Sequence, residues 1–350
     1  MRIDTNSAAA LLSIPITEPE RLFAGDAGAI RLAYHQLALH WHPDRNSDPQ
    51  AAEVTAQINR LHDAAAARLW AGGALGLGFV ELPGADGRLR RIRYRRRRAF
   101  ELGEMLYGDT SLVFLVRGDC ADLFENGRNA LKGLRYRDGA MQAEMARCLP
   151  QVLDCFSTGN GACVMAIGKT PDTFLLLDVL EASEGTIDAR HVAWIANRIY
   201  NIACYLGWAG ITHNAIAPDT VFISPKQHQC MLLGGWWYAQ PSGTRLAALP
   251  ARSHIHAPPA ILRDALADPQ LDLAMIRVLC RELLGDISGM MLAARGAAPQ
   301  PMIDFLRGPA ASYAPAEYAA WSNRILPDSF GARRFVEMSI SAGDIYTLQE

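Results

Sequence analysis

The sequence has little net charge, little lysine and no cysteine pattern. Its 350 residues carry 34 basic and 36 acidic side chains, a balance of −2, so no global attraction to nucleic acid is expected. The seven cysteines (120, 148, 155, 163, 204, 230 and 280) include no C-x-x-C pair. An odd, scattered set argues for reduced thiols and against a disulfide framework or zinc site. No apolar run reaches membrane-spanning length. Met1-Arg2-Ile3-Asp4-Thr5-Asn6 lacks the charged-then-apolar pattern of a secretion signal. A cytoplasmic protein with no membrane partner is therefore expected. What the chain has in quantity is apolar: 50% of residues are hydrophobic and 20% charged, enough for large cores and, at this length, two domains.

The most organised short stretch runs from Leu37 to Arg45 and holds His42-Pro43-Asp44 between two helical patterns. Upstream, Asp26 is suited to cap a helix, and Ile30, Ala33/Tyr34, Leu37 and Trp41 follow at helical spacing. Pro43 ends that helix and biases His42 away from helical angles. Downstream, Asp48-Pro49 reads as an N-cap with proline at the first helical position, and Val54, Ile58, Leu61, Ala65 and Leu69 form one stripe. Two helices with facing apolar stripes and a short loop are expected to lie antiparallel, with the tripeptide at an exposed tip.

These residues resemble the J-domain of DnaJ-type co-chaperones. Leu11-Leu12-Ser13-Ile14-Pro15 is similar to that domain's short first helix, and Gln57-Ile58-Asn59-Arg60-Leu61-His62 to its "INxAY" segment. The resemblance covers about the first 70 residues and implies a DnaK-type chaperone as partner, with the tripeptide needed to stimulate its ATP hydrolysis. One departure matters. The family's second helix carries a strongly basic face, whereas here that face offers Arg31 and His35, with Arg45 beyond the loop. A smaller electrostatic contribution to docking, or an unusual partner, follows. The plain alternative is a helical hairpin with a tight Pro-Asp turn.

Gly78–Leu82 and Arg88–Arg95 flank Pro83-Gly84-Ala85-Asp86-Gly87, a hairpin signal. The second strand continues into Arg96-Arg97-Arg98, making eight arginines in eleven residues. Arg95 to Arg98 are the polyanion-contact candidates, for nucleic acid or an acidic partner surface. The favoured reading is a protein contact or a solvated strand whose other face, with Leu89, covers a core.

From about residue 99 a strand-rich half precedes a helical half, which suggests an α+β, two-lobed domain. Strands are expected at 99–103, 111–116, 130–134 and 174–180, with a helix from 142 and long helical spacing at Val192, Ile195, Ile199, Ile202 and Tyr205/Leu206. The order of pieces resembles the protein kinase fold. Gly108 falls where the glycine-rich loop would lie, Ala130-Leu131-Lys132 resembles the "VAIK" strand, and Glu144 is the best partner for its lysine. Leu180–Gly185 looks like the hinge, and Ile211–Ile223 (with His213) like the catalytic loop "HRDLKPENILI". Met231–Trp237 lies where "DFG" belongs, His256–Ala260 resembles "APE", and Asp272 resembles the aspartate anchoring the large lobe.

The chemistry implied by that resemblance is missing its oxygens. Phosphoryl transfer needs a carboxylate for the hydroxyl proton and oxygen ligands for magnesium. Ala215 stands at the base, and Thr220 and Gly235 (or Gly234) stand at the two magnesium ligands. We therefore expect a pseudokinase with no catalytic residues, no cofactor and no metal. The whole reads as a J-domain (1–72), an arginine-rich hairpin linker (73–98), a bilobal kinase-like domain (99–310) with an antiparallel-sheet small lobe and helical large lobe, and an extension (311–350). The expected function is a co-chaperone that recruits a DnaK-type chaperone and carries an unknown protein client on its kinase-like module. An atypical phosphotransferase and a nucleic-acid-binding adaptor are the alternatives.

Overall fold

The computed structural model describes residues 4–16, 18–23, 27–70, 78–332 and 334–346. Asp26, the expected helix cap, and 71–73, the expected helix end, lie outside them. The chain forms two compact units, one of residues 1–115, 154–171 and 342–350, the other of 116–153 and 172–341.

The first unit begins with three helices, α1 (Ala8–Leu12), α2 (Ala27–Trp41) and α3 (Ala51–Trp70). The stripes read from the sequence close on one another: Leu11, Ile14, Phe23, Ile30, Trp41, Val54, Ile58, Leu61 and Ala65 form one buried core. Tyr34 Oη bonds Asn59 Oδ1 at 3.0 Å and Thr55 Oγ1 donates to the Trp41 carbonyl at 2.6 Å. Pairing 34 with 59 and 41 with 55 makes α2 and α3 antiparallel. Gln57, buried, donates to the Ile14 carbonyl at 2.6 Å, so its amide is not an unsatisfied polar group in the core.

The hairpin β1 (Gly78–Pro83) and β2 (Leu89–Tyr94) pairs Val80 with Ile92 and Leu82 with Arg90. Strands β3 (Arg96–Phe100), β4 (Gly103–Tyr107), β5 (Ser111–Val116), β6 (Gln151–Ser157) and β7 (Cys163–Gly168) form a sheet in the order β3-β4-β5-β7-β6. The hairpin is part of this unit's core and not a linker. Leu82, Val80, Ile92 and Tyr94 pack on Leu106, Val113, Leu115, Phe156, Val164 and Ala166 of the sheet. Side chains alternate along a strand, so Arg90, Ile92 and Tyr94 face in and Leu89, Arg91 and Arg93 face out. Leu89, expected to cover a core, is 62% exposed. A short helix, α14 (Ala342–Tyr346), returns to this unit, where Tyr346 lies beside Tyr107 with ring centroids 6.5 Å apart.

The second unit contains α4 (Ala121–Lys132), α5 (Gly139–Met145), β8 (Phe174–Leu175), α6 (Leu176–Ala182), α7 (Ala189–Ala209), β9 (Ile211–Thr212), β10 (Val221–Ser224), β11 (Gln229–Leu232), β12 (Gln240–Pro241), α8 (Ala251–His256), α9 (Pro259–Asp264), α10 (Pro269–Leu283), α11 (Gln300–Arg307), α12 (Ala314–Ala320) and α13 (Leu326–Phe330). Its axis is α7, capped by Asp188 on the Arg190 N–H and ended by Gly210 at φ 73°, the left-handed angle glycine adopts freely. Val192, Ile195, Ile199, Ile202 and Leu206 are buried along one side, as their spacing predicts. The 174–180 run is a strand only at Phe174–Leu175 and a helix from Leu176; a wholly apolar run has no period to separate the two. Two small antiparallel pairings, β11-β10-β8 and β12-β9, hold the loops at 213–220 and 233–238 side by side.

Among the described residues no helix is long and apolar enough to cross a membrane.

Candidate functional site

Two places were singled out by sequence: the tip of the N-terminal hairpin and the degenerate catalytic loop. At the tip, His42, Pro43, Asp44 and Arg45 are all exposed, as are Arg31 and His35 on α2. The turn is held from within. The Asp44 N–H donates to His42 Nδ1 at 3.2 Å, Asn46 Nδ2 donates to the His40 carbonyl at 3.0 Å, and the Gln50 N–H donates to Asp48 Oδ1 at 2.8 Å. Behind it, Trp41 is 2% exposed and its indole N–H donates to the Thr5 carbonyl at 3.0 Å. A closed core thus fixes a tripeptide whose own side chains are left to solvent.

The loop after β9 is organised around a buried aspartate. Asp272, in the first turn of α10 and 3% exposed, accepts the N–H groups of His213 at 2.7 Å and Asn214 at 2.8 Å. Burial raises its pKa to about 7 against the opposing pull of those two N–H donors. His213 is fully buried; Nε2 donates to the Gly234 carbonyl at 3.0 Å, and burial lowers its pKa to about 3. Asn214 sits at φ 66° and donates to the Tyr238 carbonyl at 2.8 Å. Thr220 Oγ1 donates toward the Ala215 carbonyl at 2.7 Å and accepts the Ala217 N–H at 3.0 Å, so its hydroxyl is committed to the turn.

Gly235 completes the site. At φ 78°, a Cβ added there would lie 2.8 Å from His213 Cε1, 3.0 Å from Ala215 Cβ and 3.1 Å from Thr220 Cγ2. At Gly234 an added Cβ would lie 3.1 Å from Thr220 Cα. The space beside Gly235 is filled by an imidazole and two methyl groups. A kinase-like fold implies magnesium and a nucleotide, and these residues do not fit the metal: Ala215 and Gly235 have no side-chain donor, and the Thr220 hydroxyl is committed to its own turn. Among the described residues no cluster of three or more His, Cys, Asp or Glu side chains is placed to hold a metal.

Three expected positions are corrected. Lys132 is not on a strand; it is the exposed last residue of α4. Glu144 is exposed on α5, and among the described residues the two form no ion pair. Ala130-Leu131-Lys132 matched a strand motif by letters, but Phe124 and Gly127 bury one side of a helix there. Gly108 lies between β4 and β5, whereas the turn joining the sheet's first two strands is Glu101-Leu102, two residues long.

Sequence reading missed what α4 does. Asn126 Nδ2 donates to the carbonyls of Trp237 at 2.8 Å and Ala239 at 2.9 Å. A Cβ at Gly127 would lie 3.0 Å from the Trp237 nitrogen, so glycine is what lets the helix close on the Trp236–Tyr238 turn. The available signal was Gly127 within an otherwise helical pattern, which marks close approach.

The arginine run is largely neutralised. Arg90 reaches Asp86 and Asp154, both at 2.9 Å, and Arg93 reaches Glu20 at 3.2 Å. Arg91 pairs with Glu18, Arg95 with Asp109, and Arg97 with Glu104. Arg96 donates to the Ile345 carbonyl at 3.4 Å. Arg95 is 5% exposed.

No protein-family model matches this sequence, and no curated protein matches it. Among solved structures, the chain is similar to the structure of vaccinia related kinase 3, with a TM-score of 0.52 and 12% identity over 71% of this chain and 91% of that one. At that identity the likeness shows the fold alone: the chain contains a protein-kinase-like fold with mixed helix and antiparallel sheet.

Proposed function

We propose that the chain is a co-chaperone-like adaptor. In this reading the N-terminal hairpin engages a DnaK-type chaperone through His42, Pro43 and Asp44, as J-domains do, and favours ATP hydrolysis by that partner. The kinase-like module performs no phosphoryl transfer and offers a binding surface for a protein client.

The observation that carries the proposal is the state of the tip: the His42 and Asp44 side chains are 51% and 86% exposed above a core that is fully closed. Arg31 and His35 on α2 and Arg45 in the turn are also exposed, a sparse set of basic side chains that gives electrostatics a weak share in docking. The non-catalytic half is supported by the crowding at Gly235 and by Ala215 at the base position, since catalysis of this kind rests on charge stabilisation by placed groups. The internal pairing of Arg90, Arg91, Arg93, Arg95 and Arg97 favours a structural role for the hairpin over nucleic-acid binding.

The test is binding of an ATP-loaded DnaK-type chaperone to the immobilised full chain. Binding is expected for wild type and is expected to be lost in Asp44→Asn with an unchanged melting temperature. No binding, or equal binding by both, contradicts the proposal. Incorporation of γ-phosphate into any substrate, abolished by a substitution in the 213–220 loop, would contradict the non-catalytic half.

A further inference from the structure

The second unit holds a cavity of about 610 Å³ between the first half of α7 and the segment from α13 to Val336. That size is typical of pockets that enclose small organic molecules. Three properties of its wall define a complementary ligand.

Its charge is of one sign. Arg190 and Arg334 line it, no acidic side chain does, and among the described residues neither guanidinium has an ion pair or side-chain hydrogen bond. Its apolar wall is largely aromatic. Trp194 stacks on His228 at 4.7 Å and 9°, and His228 stacks on Phe335 at 4.1 Å and 18°, while Phe330, Leu326 and Pro327 also line the cavity. Its polar group is an unanswered acceptor: Asn197 Oδ1 is buried with no hydrogen-bond partner, a condition that carries a desolvation cost until a donor arrives. The nearby donor does not supply one, because the Trp194 indole N–H is directed at His191 Nδ1 at 3.3 Å. A π-helical turn at Trp321–Ile325 leads into α13, and such turns break helical regularity where a side-chain arrangement demands it.

We propose that this cavity binds a small aromatic anion bearing an N–H donor, of the aryl carboxylate or aryl sulfonate class. The ring lies against Trp194 and Phe330, the acid meets Arg190 and Arg334, and the N–H answers Asn197. Aromatic faces and cations in one pocket favour a flat anionic ligand over an aliphatic one.

The experiment uses the full chain and 8-anilinonaphthalene-1-sulfonate, which has a fused ring, a sulfonate and an anilino N–H. Binding is read from the rise in the probe's own fluorescence on titration. The expected result is saturable binding of one probe per chain, displaced by indole-3-acetate but not by laurate or inorganic phosphate. Arg190→Gln with Arg334→Gln, both at exposed positions, is expected to weaken binding about tenfold or more through lost charge-assisted contacts without moving the circular dichroism melt. Asn197→Leu keeps the volume and removes the acceptor, and is expected to weaken binding by a smaller factor. Absence of saturable binding, more than one site, equal affinity in the double arginine variant, or displacement by laurate or phosphate as effective as by indole-3-acetate would each overturn the assignment.

Discussion

Substituting alanine at three glycines of the second unit separates crowding from backbone angle. Gly243 lies at φ 82° with nothing within 4 Å of an added Cβ, whereas Gly235 lies at φ 78° with an added Cβ 2.8 Å from the His213 ring. Both pay for a left-handed angle, about 1–2 kcal/mol for a residue with a Cβ. Only Gly235→Ala adds overpacking, about 1–3 kcal/mol more when neighbours cannot retreat. His213 is pinned by its bond to Gly234 and its contact with Trp236 at 5.1 Å, so retreat is blocked. Gly235→Ala is therefore expected to cost about 2–5 kcal/mol and Gly243→Ala about 1–2. Gly127→Ala is the third arm, because its angle is helical and alanine gains about 1 kcal/mol there in propensity. The Trp237 backbone contact at 3.0 Å opposes that gain. Urea unfolding followed by tryptophan fluorescence reads all three, since Trp236 and Trp237 are 1% and 4% exposed. A Gly235→Ala variant no more destabilised than Gly243→Ala would contradict this crowding.

The same site makes a pH prediction. Asp272, raised to about 7, contributes stability that is complete below its ordinary carboxylate range and lost as pH rises toward 7. His213, lowered to about 3, contributes stability that is complete above its ordinary value of 6.5 and lost as pH falls toward 3. Between pH 4 and 6.5 the two slopes oppose each other, each at most about 1.4 kcal/mol per pH unit. Asp272→Asn is expected to unmask the histidine slope, so stability relative to wild type rises with pH across that window; a parallel pair of curves would contradict it. Elsewhere, Arg277 and Glu317 form a buried ion pair at 2.6 Å with side chains 6% and 2% exposed. Glu317→Ala is expected to cost about 3–5 kcal/mol by stranding the guanidinium, and the double change Arg277→Met, Glu317→Leu to recover most of it, as denaturation midpoints will show. Asp44→Asn, on an exposed tip, is expected to change stability by less than about 0.5 kcal/mol.

The N-terminal helices were legible because their stripes have a period. Ile30, Trp41, Val54, Ile58 and Leu61 could be placed on facing sides from spacing alone, and Pro43 marked the turn. The residue types of the 213–220 loop and its neighbour were readable for a different reason: Ala215 and Gly235 carry no side-chain oxygen in any fold. What failed was register in segments without a period. Ala130-Leu131-Lys132 carried a strand motif on a helix whose burial rests on Phe124 and Gly127, and 174–180 was apolar throughout. The pairing of the arginines was also out of reach, because Glu18 and Glu20, Asp109 and Asp154 come from three separate segments. The crowding at Gly235 is a tertiary fact, visible only once His213, Ala215 and Thr220 surround it.

We propose that the exposed tripeptide acts on a partner's nucleotide cycle. This is tested most directly by single-turnover ATP hydrolysis on a DnaK-type chaperone with the full chain added. Acceleration by wild type and none by Asp44→Asn is expected. No acceleration, or the same acceleration by both proteins, would contradict it.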